Sequence, residues 1–126
     1  MTQPSSPKTV LIVDDNDIER EGMAAVLRQS GYTAVTAPSV DVALAYPEST
    51  KSSPDLILLD MMMPDKDGWS FLEMRKTKPA LALVPVVITT GLGVASQEWA
   101  ESLGAAGVLI KPFDAEDLLR EIRRYT

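Results

Sequence analysis

A chain of 126 residues with 45% apolar and 24% charged side chains has material for one packed core, and reads as neither disordered nor membrane-embedded. Its 12 basic against 18 acidic residues give a net charge of −6, without the clustered Lys/Arg footprint that nucleic acid demands. With no Cys and no His, there can be no disulfide, thiolate nucleophile, Cys/His zinc site, Ser-His-Asp triad or histidine acid–base chemistry.

Residues 1–7 are polar and hold two prolines, so they read as a disordered lead-in to a single domain over residues 8–126. No leader-like apolar run opens the chain, and no stretch approaches the roughly eighteen apolar residues of a membrane span. A cytoplasmic protein with no membrane insertion is expected. Thr9–Val13 is a continuous β-branched run, the mark of a strand covered on both faces, and it ends in Asp14-Asp15-Asn16-Asp17. A helix follows over about 17–29, capped by Asp17, with Ile18, Met23, Val26 and Leu27 near one face and Gly31 as its stop. Tyr32–Ala37 reads as an edge strand. Ser39 can cap a second helix that runs to about Tyr46 and loses definition between Pro47 and Pro54.

Leu56–Leu59 is the third strand and ends in Asp60. Residues 61–68 form a loop before a helix at about 69–77. Pro85–Thr89 is the fourth strand, running into Thr90-Gly91, and a helix near 96–103 stops at Gly104. Val108–Ile110 is a short fifth strand ending in Lys111-Pro112. Asp114 caps the last helix, with Leu118, Leu119 and Ile122 inward and Arg120, Arg123 and Arg124 as surface charge suited to a helix C-terminus. Five strand–helix units in succession predict an α/β fold: a doubly wound parallel five-stranded sheet with right-handed crossovers.

Ligands in such sheets bind outside the carboxyl ends of the strands. There the strands deliver Asp14, Asp15, Asp60, Thr90 and Lys111, all to the same edge. Three converging carboxylates repel one another unless a cation is present. A hard divalent ion such as Mg²⁺ suits oxygen ligands and keeps waters for incoming phosphate oxygens. With the ion and Lys111 neutralising the pocket, one carboxylate can attack phosphorus to form an aspartyl-phosphate, and the Thr90 hydroxyl can hydrogen-bond the transferring group.

These residues resemble the receiver domain of two-component response regulators over about residues 8–125. The resemblance is carried by Ile12-Val13-Asp14-Asp15, Leu58-Leu59-Asp60-Met61-Met62-Met63-Pro64, Asp67-Gly68, Pro85–Gly91, and Gly104-Ala105-Ala106-Gly107 leading to Lys111-Pro112-Phe113. It implies the strand order 2-1-3-4-5. It also implies Asp60 as phosphoacceptor, Asp15 as a direct Mg²⁺ ligand, Asp14 acting mainly through water, and the Met62 carbonyl completing the protein's share of the metal shell. Thr90 would be the switch hydroxyl, Lys111 the ion-pair partner of the phosphoryl group, and Gly91 the small residue beside it. Lys111-Pro112 resembles the family's cis peptide. The partners implied are a histidine kinase or histidine phosphotransfer protein as donor and a downstream protein target. Such a domain is not an enzyme toward other substrates and catalyses only its own phosphorylation and dephosphorylation. Val108 departs from the pattern, since the family usually carries a switch Tyr or Phe there. Met62 and Leu92 occupy the two positions that most often flank the water attacking an aspartyl-phosphate.

Other polar and soft residues have plainer readings. Met61, Met62 and Met63 read as gap-filling side chains rather than sulfur ligands. Asp65 and Asp67 read as turn residues, Thr89 as packing on the other side of its strand, and Trp99 as half-buried packing. Two further functions compete. A binding module signalling without phosphate would have lost an acid or Lys111, and none is lost. A haloacid-dehalogenase-like phosphatase needs a second acid two residues after the nucleophile, where Met62 stands, and a cap for which there is no room. The chain ends just after the last helix, so no output domain is expected within it.

Overall fold

The computed structural model describes residues 7–50, 52–62 and 68–126, and within them the apolar runs are strands: β1 Thr9–Val13, β2 Thr33–Ala37, β3 Leu56–Asp60, β4 Val86–Thr90 and β5 Gly107–Ile110. All four pairings are parallel and the spatial order is β2-β1-β3-β4-β5. Every residue of β3 and β4 is buried, as expected of strands covered on both faces. Strand alternation divides the core into two layers. Leu11, Val13, Ile57, Leu59, Val86 and Ile88 face one side, where α2 (Val40–Thr50), α3 (Gly68–Met74), α4 (Pro79–Ala82) and α5 (Gln97–Ser102) cover them. Val10, Ile12, Leu56, Leu58 and Val87 face the other, under α1 (Asp17–Gln29) and α6 (Ala115–Arg123).

The helix ends explain themselves locally. Gly31 and Gly104 take positive φ values of 92° and 84° just past α1 and α5, where a left-handed residue closes the last turn. Ser39 Oγ accepts the Val42 N–H at 3.2 Å, and Ser96 Oγ accepts the Trp99 N–H at 3.1 Å. Asp114 and Asp117 cap each other reciprocally at the start of α6.

Several expectations need correction. Asn16, not Asp17, caps α1: its backbone is extended and its Oδ1 accepts the Glu19 N–H at 2.9 Å. Asp17 is the first helical residue and pairs with Arg20. Ile18 is 86% exposed, and the buried face of α1 instead holds Arg20, whose guanidinium donates to the Asp14 carbonyl at 3.0 Å. The second helix continues to Thr50, with Pro47 inside it at the loss of one backbone donor. The third helix tightens into a 3₁₀ turn at Arg75–Thr77, and α4 has no counterpart among the expected helices. Leu119 is only partly buried, whereas Glu121 is buried beside Leu118 and Ile122. Residues 1–6 of the expected lead-in and the turn residues Met63, Pro64, Asp65 and Asp67 lie outside the described residues.

One side chain organises the far end of the molecule. The Arg75 guanidinium donates through Nη1 to the carbonyls of Leu81, Ala82 and Val84 at 2.9, 3.0 and 3.0 Å, and through Nη2 to that of Gly104 at 3.1 Å. It thereby collects carbonyls at the C-terminal ends of α4 and α5, where a cation is favoured.

Candidate functional site

The sheet brings its polar residues to one edge because each strand runs apolar to its carboxyl end and then stops. Asp60 and Thr90 are the last residues of β3 and β4, while Asp14 and Lys111 directly follow β1 and β5. Backbone hydrogen bonds hold the two followers in place: Asp14 N–H to the Ala37 carbonyl at 3.1 Å, and Lys111 N–H to the Thr90 carbonyl at 2.7 Å. The Lys111-Pro112 peptide is cis, as the motif implied.

Carboxylate oxygens of Asp14, Asp15 and Asp60 lie within 4.8 Å of one another. Asp14 and Asp60 are buried and Asp15 is exposed, so the group opens to solvent through Asp15. Asp14 Oδ1 accepts the Asn16 N–H at 2.9 Å, but its Oδ2 is buried with no hydrogen-bond partner. An unpartnered carboxylate oxygen among three acids fits a hard cation, and an all-oxygen donor set fits Mg²⁺.

The electrostatics express the same tension. Burial pushes the Asp14 carboxyl up to about 7, against the Asn16 N–H and Lys111, which favour the anion, and with Asp60 and Glu19 adding repulsion. Burial also raises Asp60, opposed by the N–H of Met62, which donates to Asp60 Oδ1 at 3.1 Å, and by Lys111. For Lys111, burial works against the charged form but is outweighed by Glu19, Asp60 and Asp14, so its ammonium is held above the usual lysine range.

The remaining expected residues are in place with differing surroundings. Thr90 is fully buried and its Oγ1 accepts the Leu92 N–H at 3.1 Å, which leaves the hydroxyl proton to be donated elsewhere. A Cβ at Gly91 would meet nothing within 4 Å, so the space beside Thr90 is open. Met62 is exposed next to Asp60, whereas Met61 is fully buried in the core. Thr89 lies opposite Asp60 in the β3–β4 register and packs into the sheet, as its alternation required. Val108 is half-buried against the α2–α5 layer, and Trp99 packs edge-on against Trp69 with ring centres 6.2 Å apart.

One residue at the site escaped sequence reasoning. Glu19, in the first turn of α1, accepts a hydrogen bond from Lys111 Nζ at 2.7 Å. The sequence offered no signal beyond an acid in the first turn of a helix, because the contact spans 92 residues.

Residues 10–123 match the family model of the response regulator receiver domain. Among solved structures, the chemotaxis protein CheY4 of Vibrio cholerae is similar over 95% of this chain and 99% of its own, with a TM-score of 0.85 and 29% identity. The phosphate regulon transcriptional regulatory protein PhoB of Klebsiella pneumoniae is 32% identical over 92% of this chain and 50% of its own length. The DNA-binding dual master transcriptional regulator RpaA of Synechocystis sp. is 31% identical over 90% of this chain and 47% of its own. The chain therefore spans about half the length of these curated relatives.

Proposed function

This chain belongs to the response regulator receiver domain family, signalling modules without a classical enzyme role, and we propose that it takes a phosphoryl group onto Asp60 to switch its contacts with a protein target. The observation that carries this reading is the convergence of Asp14, Asp15 and Asp60 within 4.8 Å, with the Lys111 ammonium 3.6 Å from Asp60 Oδ1. The donor is a histidine kinase or a histidine phosphotransfer protein. An Asp60 oxygen attacks phosphorus, the donor's phosphorus–nitrogen bond breaks, and the electron pair leaves with the imidazole, which is protonated outside this chain. Asp14, Asp15, Asp60 and the Met62 carbonyl would hold Mg²⁺, which when bound supplies positive charge for the phosphoryl oxygens. Lys111 holds further negative charge on those oxygens, and the Thr90 hydroxyl donates to one of them beside the open space at Gly91.

Among the described residues no helix is long and apolar enough to cross a membrane. A cytoplasmic setting follows from the chemistry proposed, since the donor is itself phosphorylated from a nucleotide. The test is labelling with acetyl phosphate and Mg²⁺. One phosphoryl group should add to the parent and none to Asp60→Ala; equal labelling of that variant would remove Asp60 from the role.

A further inference from the structure

Lys111 is the one ammonium at the acidic edge among the described residues, and it is already engaged. Its Nζ lies 2.7 Å from Glu19 Oε2, against 3.6 Å from Asp60 Oδ1 and 3.8 Å from Asp14 Oδ2. Only the first of these is a hydrogen bond; the other two are attractions across a gap. Glu19 comes from α1 and Lys111 from the end of β5, 92 positions away in sequence, so the contact exists only because the fold packs the start of α1 beside the β5–α6 connection. The pair is also partly exposed, with side chains 23% and 43% accessible, so it can be broken without opening the core.

We infer that Glu19 is a positioning residue that competes with the phosphoryl group for Lys111, holding the ammonium at the rim of the site until phosphate chemistry draws it inward. The inference rests on the phosphoacceptor reading of Asp60 and deepens it. No bond is made or broken beyond the hydrogen bond exchanged. Lys111 leaves a carboxylate oxygen of Glu19 for an oxygen of the incoming phosphoryl group, and Glu19 is released to water. The hydrogen bond from Lys111 is the chief reason the Glu19 carboxyl is held below its usual range, which favours its anionic form. Because Glu19 is anionic and stands at the entrance, it also repels an anionic phosphoryl donor. Both effects oppose phosphorylation, so Glu19 sets how readily the site accepts phosphate.

The experiment compares the parent with Glu19→Gln and Glu19→Asp in the presence of Mg²⁺. Glu19→Gln keeps the shape and loses the charge, so the apparent second-order rate of labelling by acetyl phosphate should rise about threefold, the scale of a partly exposed ion pair. Binding of beryllium fluoride, a non-reacting phosphoryl mimic measured by calorimetry, should tighten by a similar factor. Glu19→Asp retains the charge and should stay nearer the parent. The advantage of Glu19→Gln should shrink as salt is added, because screening weakens the competing pair; a purely structural role for Glu19 would leave that salt dependence flat. Thermal melting checks that the variant is folded. If the parent is labelled and Glu19→Gln is labelled no faster and binds beryllium fluoride no tighter, the inference fails while the function of Asp60 stands. If the parent takes no label, the phosphoacceptor reading fails and the inference falls with it.

Discussion

Asp14 Oδ2 and Lys111 Nζ stand 3.8 Å apart, close enough to attract and too far to share a hydrogen bond. Burial pushes the Asp14 carboxyl up to about 7, and Lys111 at that distance offsets the rise only in part. A raised carboxyl pKa means that the native state holds a proton which the unfolded chain has lost. Its stabilising effect is present at low pH and disappears as the pH rises through 7. Asp60 is shifted in the same direction, while Glu19, shifted down, acts oppositely and only at the acid end. In the presence of a chelator, stability should therefore fall between about pH 5 and pH 7.5 by on the order of 2 kcal/mol, at about 1.36 kcal/mol per unit over which only the native state is protonated. Mg²⁺ favours the ionised carboxylates and should flatten that decline. Melting curves across pH with and without Mg²⁺ check both parts.

Loss of an acid at the edge should weaken cation binding more than loss of an acid elsewhere. Asp15→Asn removes an exposed carboxylate from the three that converge, and Mg²⁺ affinity should drop about tenfold or more, equivalent to about 1.4 kcal/mol. Asp41→Asn, in the first turn of α2, should leave affinity within a factor of about two. Calorimetric titration with Mg²⁺ distinguishes these outcomes, and undiminished affinity in Asp15→Asn would count against the metal site.

Gly68 opens α3 against the end of the strand that carries Asp60. A Cβ there would press on the Met61 sulfur, stand 2.8 Å from the Met61 Cα and 3.1 Å from the Asp60 carbonyl oxygen. Backbone cannot yield as a flexible side chain can, so Gly68→Ala should destabilise by about 1–3 kcal/mol. Chemical denaturation measures this. A neutral result would show that α3 shifts freely.

The phosphorylated state should be long-lived. Met62 and Leu92 follow Asp60 and Thr90 by two residues, are exposed, and carry apolar side chains that cannot orient an attacking water. Met62→Asn and Leu92→Glu should each accelerate phosphate loss, and the pair together more so. Rates equal to or slower than the parent would mean that solvent already enters without hindrance.

Phosphorylation should be felt from Thr90 to Lys111 rather than only beside Asp60. A phosphoryl group shifts the population only through contacts that differ between two states, and under the proposed function Thr90 and Lys111 would supply such contacts. Val108 has no polar tip, so the response has to travel through backbone, and the Trp69–Trp99 pair, which joins α3 to α5, sits where it can register the movement. Amide spectra and tryptophan emission, recorded with and without beryllium fluoride, should both change. Amide shifts confined to the neighbourhood of Asp60 would exclude this route.

Most of this architecture was legible because it depends on short-range rules. Strands buried on both faces must be continuous apolar runs, and polar residues at their carboxyl ends come to lie along one edge. Asp14, Asp60, Thr90 and Lys111 can therefore be grouped from the sequence. Caps were legible to within one residue: Asn16 and Asp17 are both good caps, and only backbone dihedrals separate them. Pro47 looked like a terminator, yet packing of Val40, Ala43 and Leu44 on the sheet outweighs one missing donor. Ile18 looked inward by composition, but the helix turns Arg20 inward instead, where its guanidinium donates to the Asp14 carbonyl. Glu19 was invisible as a partner of Lys111 because the contact spans 92 residues and has no local signature beyond an acid in a first turn, which the helix dipole alone would explain.

The four-carbonyl grip of Arg75 has a consequence for how the protein meets proteases. Leu83, 95% exposed, lies between Ala82 and Val84, whose carbonyls are both bound by that guanidinium. A protease must draw several residues around the cut into an extended strand, so exposure alone does not make a bond cleavable. To present Leu83, the molecule has to surrender the Arg75 hydrogen bonds to Leu81, Ala82 and Val84 together, and leave a buried guanidinium with the Gly104 carbonyl as its remaining acceptor. The most exposed leucine on the described surface is thus a poor place to nick the chain, guarded by an arginine whose side chain is itself hidden from solvent.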